Sequence, residues 1–291
     1  MNKKLLIVYI SGGVLSLLII AATIIVAMGI KNKPVNICTT LLTNDMASAL
    51  LEGYSEIKHE KTSEYIVNKD ARDAYISLID NSSDVVLASE IDDETIKWLK
   101  LNGVEVEKTT IARDALVFIN NADNPIENLA VSQAKGIYSG QYTNWSNVGG
   151  NDEEIIAYPS EIGSEETYML EKLMGNKAIK KPRYKLEDSS LSGLITATSE
   201  YLDTRTKAIF YTTFHNMKSN KNENIRILKL DGTEASTDEI KSEQYPAIMD
   251  IYAIIRSDTP ENSQTRRFVE YITSKNGQAI IQQCGYVNLI K

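Results

Sequence analysis

Charge is missing from one long stretch of this 291-residue chain: none of its 31 Lys and Arg or 39 Asp and Glu falls within residues 5–30. Soft metal ligands are scarce as well. Two cysteines and two histidines fall short of the roughly four clustered ligands that a zinc or iron–sulfur site needs, so no metal site is expected. Three motifs are absent: the Gly-x-Ser-x-Gly nucleophile elbow, the Gly-x-Gly-x-x-Gly dinucleotide fingerprint and the Gly-Lys-Ser phosphate loop. The two histidines, His59 and His215, lack a nucleophile partner in any recognisable pattern, so the sequence reads as a non-enzyme without a cofactor. Basic residues are in the minority. Residues 31–291 hold 29 Lys and Arg against 39 Asp and Glu, a formal charge of −10, which argues against a nucleic-acid partner.

The uncharged stretch is long enough to matter. Its 26 residues, at about 1.5 Å each in a helix, exceed the roughly 30 Å hydrocarbon layer and cross it with some tilt. A secretory signal has a shorter apolar region and a small-residue cleavage box, which Val26-Ala27-Met28 does not supply. Cys38 follows Val35-Asn36-Ile37, which is not a lipoprotein box either. An uncleaved single-pass anchor over residues 1–30 is therefore expected. Lys3 and Lys4 on one side balance Lys31 and Lys33 on the other, so flanking charge leaves the orientation open.

Beyond the anchor, short β-type runs alternate with helical patterns. Residues 35–39, 65–67, 85–87, 104–106 and 115–119 read as strands; residues 44–58, 71–79 and 93–101 read as helices, the last stopped by Asn102-Gly103. In residues 44–58, Met46, Leu50, Tyr54 and Ile57 share one helical face. This order predicts an α/β fold with a mostly parallel sheet. Turn formers at residues 120–125 mark a boundary. The alternation then resumes with strands at 155–158, 208–211, 225–230 and 251–255, and helices at 164–174, 263–272 and 278–283.

Three stretches resemble one family. The first, residues 111–150, holds Ala-Arg-Asp-Ala-Leu-Val-Phe-Ile-Asn-Asn, Asn124-Pro125, Gly136-Ile137-Tyr138-Ser139-Gly140 and Thr143-Asn144-Trp145-Ser146-Asn147-Val148-Gly149-Gly150. The second, residues 225–252, holds Leu-Lys-Leu-Asp-Gly-Thr-Glu-Ala-Ser and Tyr245-Pro246. The third, residues 268–289, holds Phe-Val-Glu-Tyr-Ile, Gly277-Gln278 and Cys284-Gly285-Tyr286-Val287. Together they resemble the phosphate-type solute-binding proteins of ABC importers, receptors of the type II periplasmic-binding-protein fold. The resemblance implies two α/β lobes closing as a hinge over a central cleft: residues 31–119 with 246–291 as lobe 1, and 120–245 as lobe 2. It also implies that residues 31–291 lie outside the cytoplasm, with a small anionic solute and an ABC permease as partners.

The resemblance points to Thr40, Ser89, Ser160, Gly163 and Ser164 as ligand-binding positions, and there this chain departs from the family it resembles. A buried oxyanion needs N–H and O–H donors and usually an arginine. Ser160 stands where the family has Arg. Glu165 and Glu166 follow Gly163-Ser164 in place of Gly and Thr, and Glu90 follows Ser89 where Arg is common. The loop at residues 39–43 has lost its glycine, though Thr40 and Thr43 remain donors, Thr43 reading equally as a helix cap. The glutamates are read as ordinary first-turn residues of a helix capped by Ser164. All three loops move away from phosphate, so two functions stay open: a solute-binding protein with another ligand, or a non-transporting sensory or structural partner at the membrane. Arg113 and Arg205 are assigned to neighbouring acids such as Asp114 and Asp203. Cys38 and Cys284 are expected to be small buried thiols, with a disulfide as the alternative.

Overall fold

The computed structural model describes residues 35–290 apart from Leu41, 59–65, Asp70, 90–92, 161–163, 181–185, Glu187, Ser189 and Leu202. The anchor expected over residues 5–30 lies outside the described residues. Among the described residues no helix is long and apolar enough to cross a membrane.

The elements run β1 (Ile37–Thr39), α1 (Asn44–Lys58), β2 (Ile66–Asn68), α2 (Ala71–Ile76), β3 (Val85–Ser89), α3 (Asp93–Leu101) and β4 (Val106–Asn121). Next come β5 (Asn128–Leu129), α4 (Val131–Tyr138), β6 (Ile156–Ala157), α5 (Glu165–Met174), α6 (Leu191–Ser199), β7 (Ala208–Thr213) and α7 (Phe214–Ser219). The chain ends through β8 (Ile225–Ile227), β9 (Lys229–Leu230), α8 (Thr237–Lys241), β10 (Ile248–Arg256), α9 (Gln264–Thr273) and α10 (Lys275–Gln283).

One mixed sheet has the order β2-β1-β3-β10-β4-β7-β6, with β8 also on β4. The expected parallel pairing holds on its flanks, at β1 with β2 and β3 and at β6 with β7. It fails in the middle, where β10 and β4 run antiparallel to their neighbours. The reason is the length of β4. Its 16 residues, at about 3.3 Å each, reach about 50 Å, so one strand serves both halves of the sheet. Residues up to Ala115 pair with β10, and Leu116 to Asn121 pair with β7 and β8. The runs at 104–106 and 115–119, which read as separate strands, fall on this one element, the first only at Val106, where β4 begins. Charged Glu107, Lys108, Arg113 and Asp114 interrupt its apolar pattern without ending it.

Strands β1, β3 and β7 are buried on both faces, which is why β3 reads as an unbroken Val-Val-Leu-Ala run. Val85 and Leu87 face the main core with Met46, Leu50 and Tyr54 of α1; Val86 and Ala88 face a second cluster with Tyr75, Leu78 and Leu99. Ile57, on the predicted apolar face of α1, is exposed in the last turn. In the other half Trp145 is buried, its Nε1 donating to the Lys207 carbonyl at 3.1 Å. Trp145–Val148 form a short 3-10 turn, which the chain leaves through Gly149 at φ 98°, a conformation that a side chain resists.

Candidate binding cleft

Parallel strands β1 and β3 deliver Thr40 and Ser89 to the same edge of the sheet, since Thr39 pairs with Leu87. Thr43 ties the two loops together: its hydroxyl accepts from the Thr40 N–H at 3.1 Å and donates to the Leu87 carbonyl at 2.5 Å. That is a loop-bracing role instead of the plain helix cap considered for it. The Tyr75 hydroxyl donates to the Ser89 carbonyl at 2.8 Å, so the backbone beneath both hydroxyls is held. Thr40 and Ser89 are buried, and this carboxyl-end edge of an open α/β sheet is where such folds place ligands.

The edge is filled by the protein itself. Glu165, first residue of α5, reaches across and accepts from Thr40 Oγ1 at 3.0 Å through Oε2. Its Oε1 accepts from Ser89 Oγ at 2.7 Å and from the Ser89 N–H at 3.4 Å. Ser164 caps α5 as expected, its Oγ accepting from the Thr167 N–H at 3.2 Å. Glu165 is therefore no ordinary first-turn residue: its helix end is already capped, and its carboxyl group serves Thr40 and Ser89 at the ends of β1 and β3. Burial pushes the Glu165 carboxyl upward, the donors on Ser89 and Thr40 pull it down, and nearby Glu166 pushes it up again; the net direction is up.

Beside this contact Asp114 of β4 is completely buried. It accepts from the Ala115 N–H at 2.8 Å and approaches His215 Nδ1 at 2.5 Å. The His215 ring stacks on Tyr286 at 4.2 Å between centroids, and Tyr286 Oη donates to the Leu42 carbonyl in the loop after β1. Burial first, then the charges of Asp114 and Glu165, push the Tyr286 phenol well above its ordinary range. On the α5 side, Thr167 Oγ1 lies 3.2 Å from Tyr211 Oη, and Asn216 Nδ2 donates to Glu166 at 3.2 Å.

Two of the five residues chosen from sequence, Thr40 and Ser89, meet at Glu165, while Ser164 precedes it in the chain and turns its hydroxyl to Thr167. Ser160 is half-buried on the α5 side, where its backbone hydrogen-bonds Tyr211. Gly163 lies outside the described residues. The sequence reading gave no role in the site to Glu165, Asp114, His215 or Tyr286. A carboxylate standing where a glycine is expected was the available signal for Glu165; nothing local marked the other three. The arginines also find other partners than expected. Arg113 pairs with Asp250 at 2.9 Å and with Glu243, and Arg205 pairs with Asp123 at 3.1 Å. Cys38 and Cys284 are both free thiols, the first buried and the second half-buried.

The chain is similar to the phosphate-binding protein PstS of Borreliella burgdorferi, 23% identical over 187 residues that make up 63% of this chain and 66% of that protein. It is 28% identical over 158 residues to PstS 2 of Streptococcus agalactiae, across 53% of this chain and 52% of the other. The chain thus spans between half and two thirds of the length of these curated relatives. In structure it resembles an ABC-type phosphate transport receptor from Vibrio cholerae, with a TM-score of 0.72 and 23% identity over 87% of this chain and 99% of that one, a likeness of fold. Residues 35–276 match the family described as the PBP superfamily domain, and the protein belongs to that superfamily.

Proposed function

We propose that this chain is a receptor-like domain of the solute-binding class whose cleft does not take inorganic phosphate, and that it acts as a non-transporting sensory or structural partner at the membrane. Residues 5–30 anchor it, residues 31–291 lie outside the cytoplasm, and residues 31–119 with 246–291 form one lobe against 120–245. The observation that carries this reading is the Glu165 carboxylate on Thr40 and Ser89, which takes the hydroxyl donors an entering anion needs. Unit charges about 4 Å apart repel by about 4 kcal/mol at an effective dielectric near 20, so a dianion beside Glu165 and Glu166 meets a steep barrier. The relatives are solute-binding proteins, which supports binding without turnover.

Titration calorimetry of the full chain with phosphate tests the reading: no saturable heat is expected at millimolar phosphate, and micromolar affinity overturns it. Family membership favours a second reading, an importer subunit for another solute. Stable copurification with an ABC permease selects that one.

A further inference from the structure

We propose that Glu165 is a ligand supplied in cis: the Thr40–Ser89 edge is a carboxylate-binding site, and its occupation by a side chain of α5 holds the two halves of the sheet together without a solute. The inference rests on the reading above that this edge is the anion side of the cleft.

The donor geometry fits a planar monocarboxylate. One oxygen takes the Thr40 hydroxyl and the other takes the Ser89 hydroxyl and N–H, so three donors from two loops address both ends of one carboxylate. Hydrogen bonds to an ionised acceptor are about twice as strong as neutral ones, which offsets part of the cost of bringing the carboxylate out of water. A tetrahedral dianion presents more oxygens and twice the charge, and it would stand within the electrostatic reach of the acidic Glu166. The contact is also a tertiary tie of long span. Glu165 is 125 positions from Thr40 and 76 from Ser89, and it joins loops of β1 and β3 to the helix that packs on β4 and β7. Its own helix does not need it, because Ser164 caps α5. Removing the carboxylate leaves two buried hydroxyls and an N–H without their acceptor, a vacancy shaped for formate or acetate.

The test measures the separation of the two halves in the full chain at neutral pH, by electron–electron resonance between spin labels introduced through Glu56→Cys on α1 and Asn147→Cys near Trp145, in a Cys284→Ser background that leaves only buried Cys38 as a native thiol. Both positions are exposed. With Glu165 intact, one narrow distance is expected, unchanged by millimolar formate. Glu165→Ala is expected to shift the distribution to longer and broader distances, and formate to return it toward the original. The proposal is overturned if Glu165→Ala keeps the narrow distance, if formate leaves the variant unchanged, or if phosphate restores closure and formate does not. Should Glu165→Ala fail to fold, Glu165→Asp is measured instead. One methylene shorter, it cannot span both hydroxyls and is expected to broaden the distribution; a narrow one overturns the proposal. Phosphate binding by the unsubstituted chain would sink the proposed function, whereas failure of formate on Glu165→Ala sinks this inference alone.

Discussion

Asp114 receives both the backbone N–H of His215, at 3.1 Å, and its ring, with Nδ1 at 2.5 Å from Oδ2. One buried carboxylate on β4 thereby fixes the start of α7 and the orientation of the imidazole that stacks on Tyr286. Tyr286 in turn grips the loop after β1 through Leu42, so the string crosses from the strand shared by both halves to the edge that carries Thr40.

Asp114→Ala is expected to destabilise the chain by about 2–4 kcal/mol, because it leaves the Ala115 and His215 backbone donors without their acceptor in a buried site, while the imidazole keeps Thr213. Urea denaturation of the two proteins measures this. A loss below about 1 kcal/mol would mean that water reaches the site and replaces the carboxylate.

Glu165 gives the fold a pH dependence whose sign follows from its raised pKa. The folded chain keeps a proton there at pH values where the unfolded chain, with an ordinary value of 4.5, has released it. The stability this group contributes is complete below that ordinary value and is lost as pH rises through the raised one. Urea midpoints from about pH 4 to about pH 7 are expected to fall for the parent relative to Glu165→Gln, which carries no titrating group. A constant difference would show that the carboxyl titrates alike in both states.

Trp145→Ala is expected to cost about 3–5 kcal/mol, the range for truncating a large buried aromatic, with little change in the denaturant slope. The side chain is 1% exposed and its indole N–H is satisfied by Lys207. Trp98, half-buried on α3, is expected to cost less when truncated in the same way, which makes it the internal reference.

The thiols differ in access more than in chemistry. Burial pushes both upward, Cys38 against hydrogen bonds from Ser77 and Ser83, and Cys284 together with the charge of Asp45. With a thiol-specific disulfide reagent, Cys284 is expected to react first in the folded chain and Cys38 only after unfolding, both more slowly than a free thiol at mildly alkaline pH. Equal rates in the folded state would contradict the burial of Cys38.

Local signals carried much of the fold. Met46, Leu50 and Tyr54 recur at helical spacing and are buried, and Gly103 and Gly175 follow their helices at positive φ. Asp231-Gly232 turns with both residues at positive φ. The resemblance carried the fold family. The continuity of β4 was not legible, because paired charges within a long strand look the same as a loop until Arg113 meets Asp250 on β10.

By itself, the order of residues determined the caps, the turns, the apolar faces and the presence of Glu165 beside a helix start. Those features depend on neighbours within about one or two turns of chain, so spacing alone specifies them. Tertiary structure decided where that carboxylate goes and that Asp114, 101 positions from His215, holds it. A polar side chain takes whatever partner packing brings within about 3 Å. Which loops arrive there is fixed by burying the apolar faces of distant strands against one another.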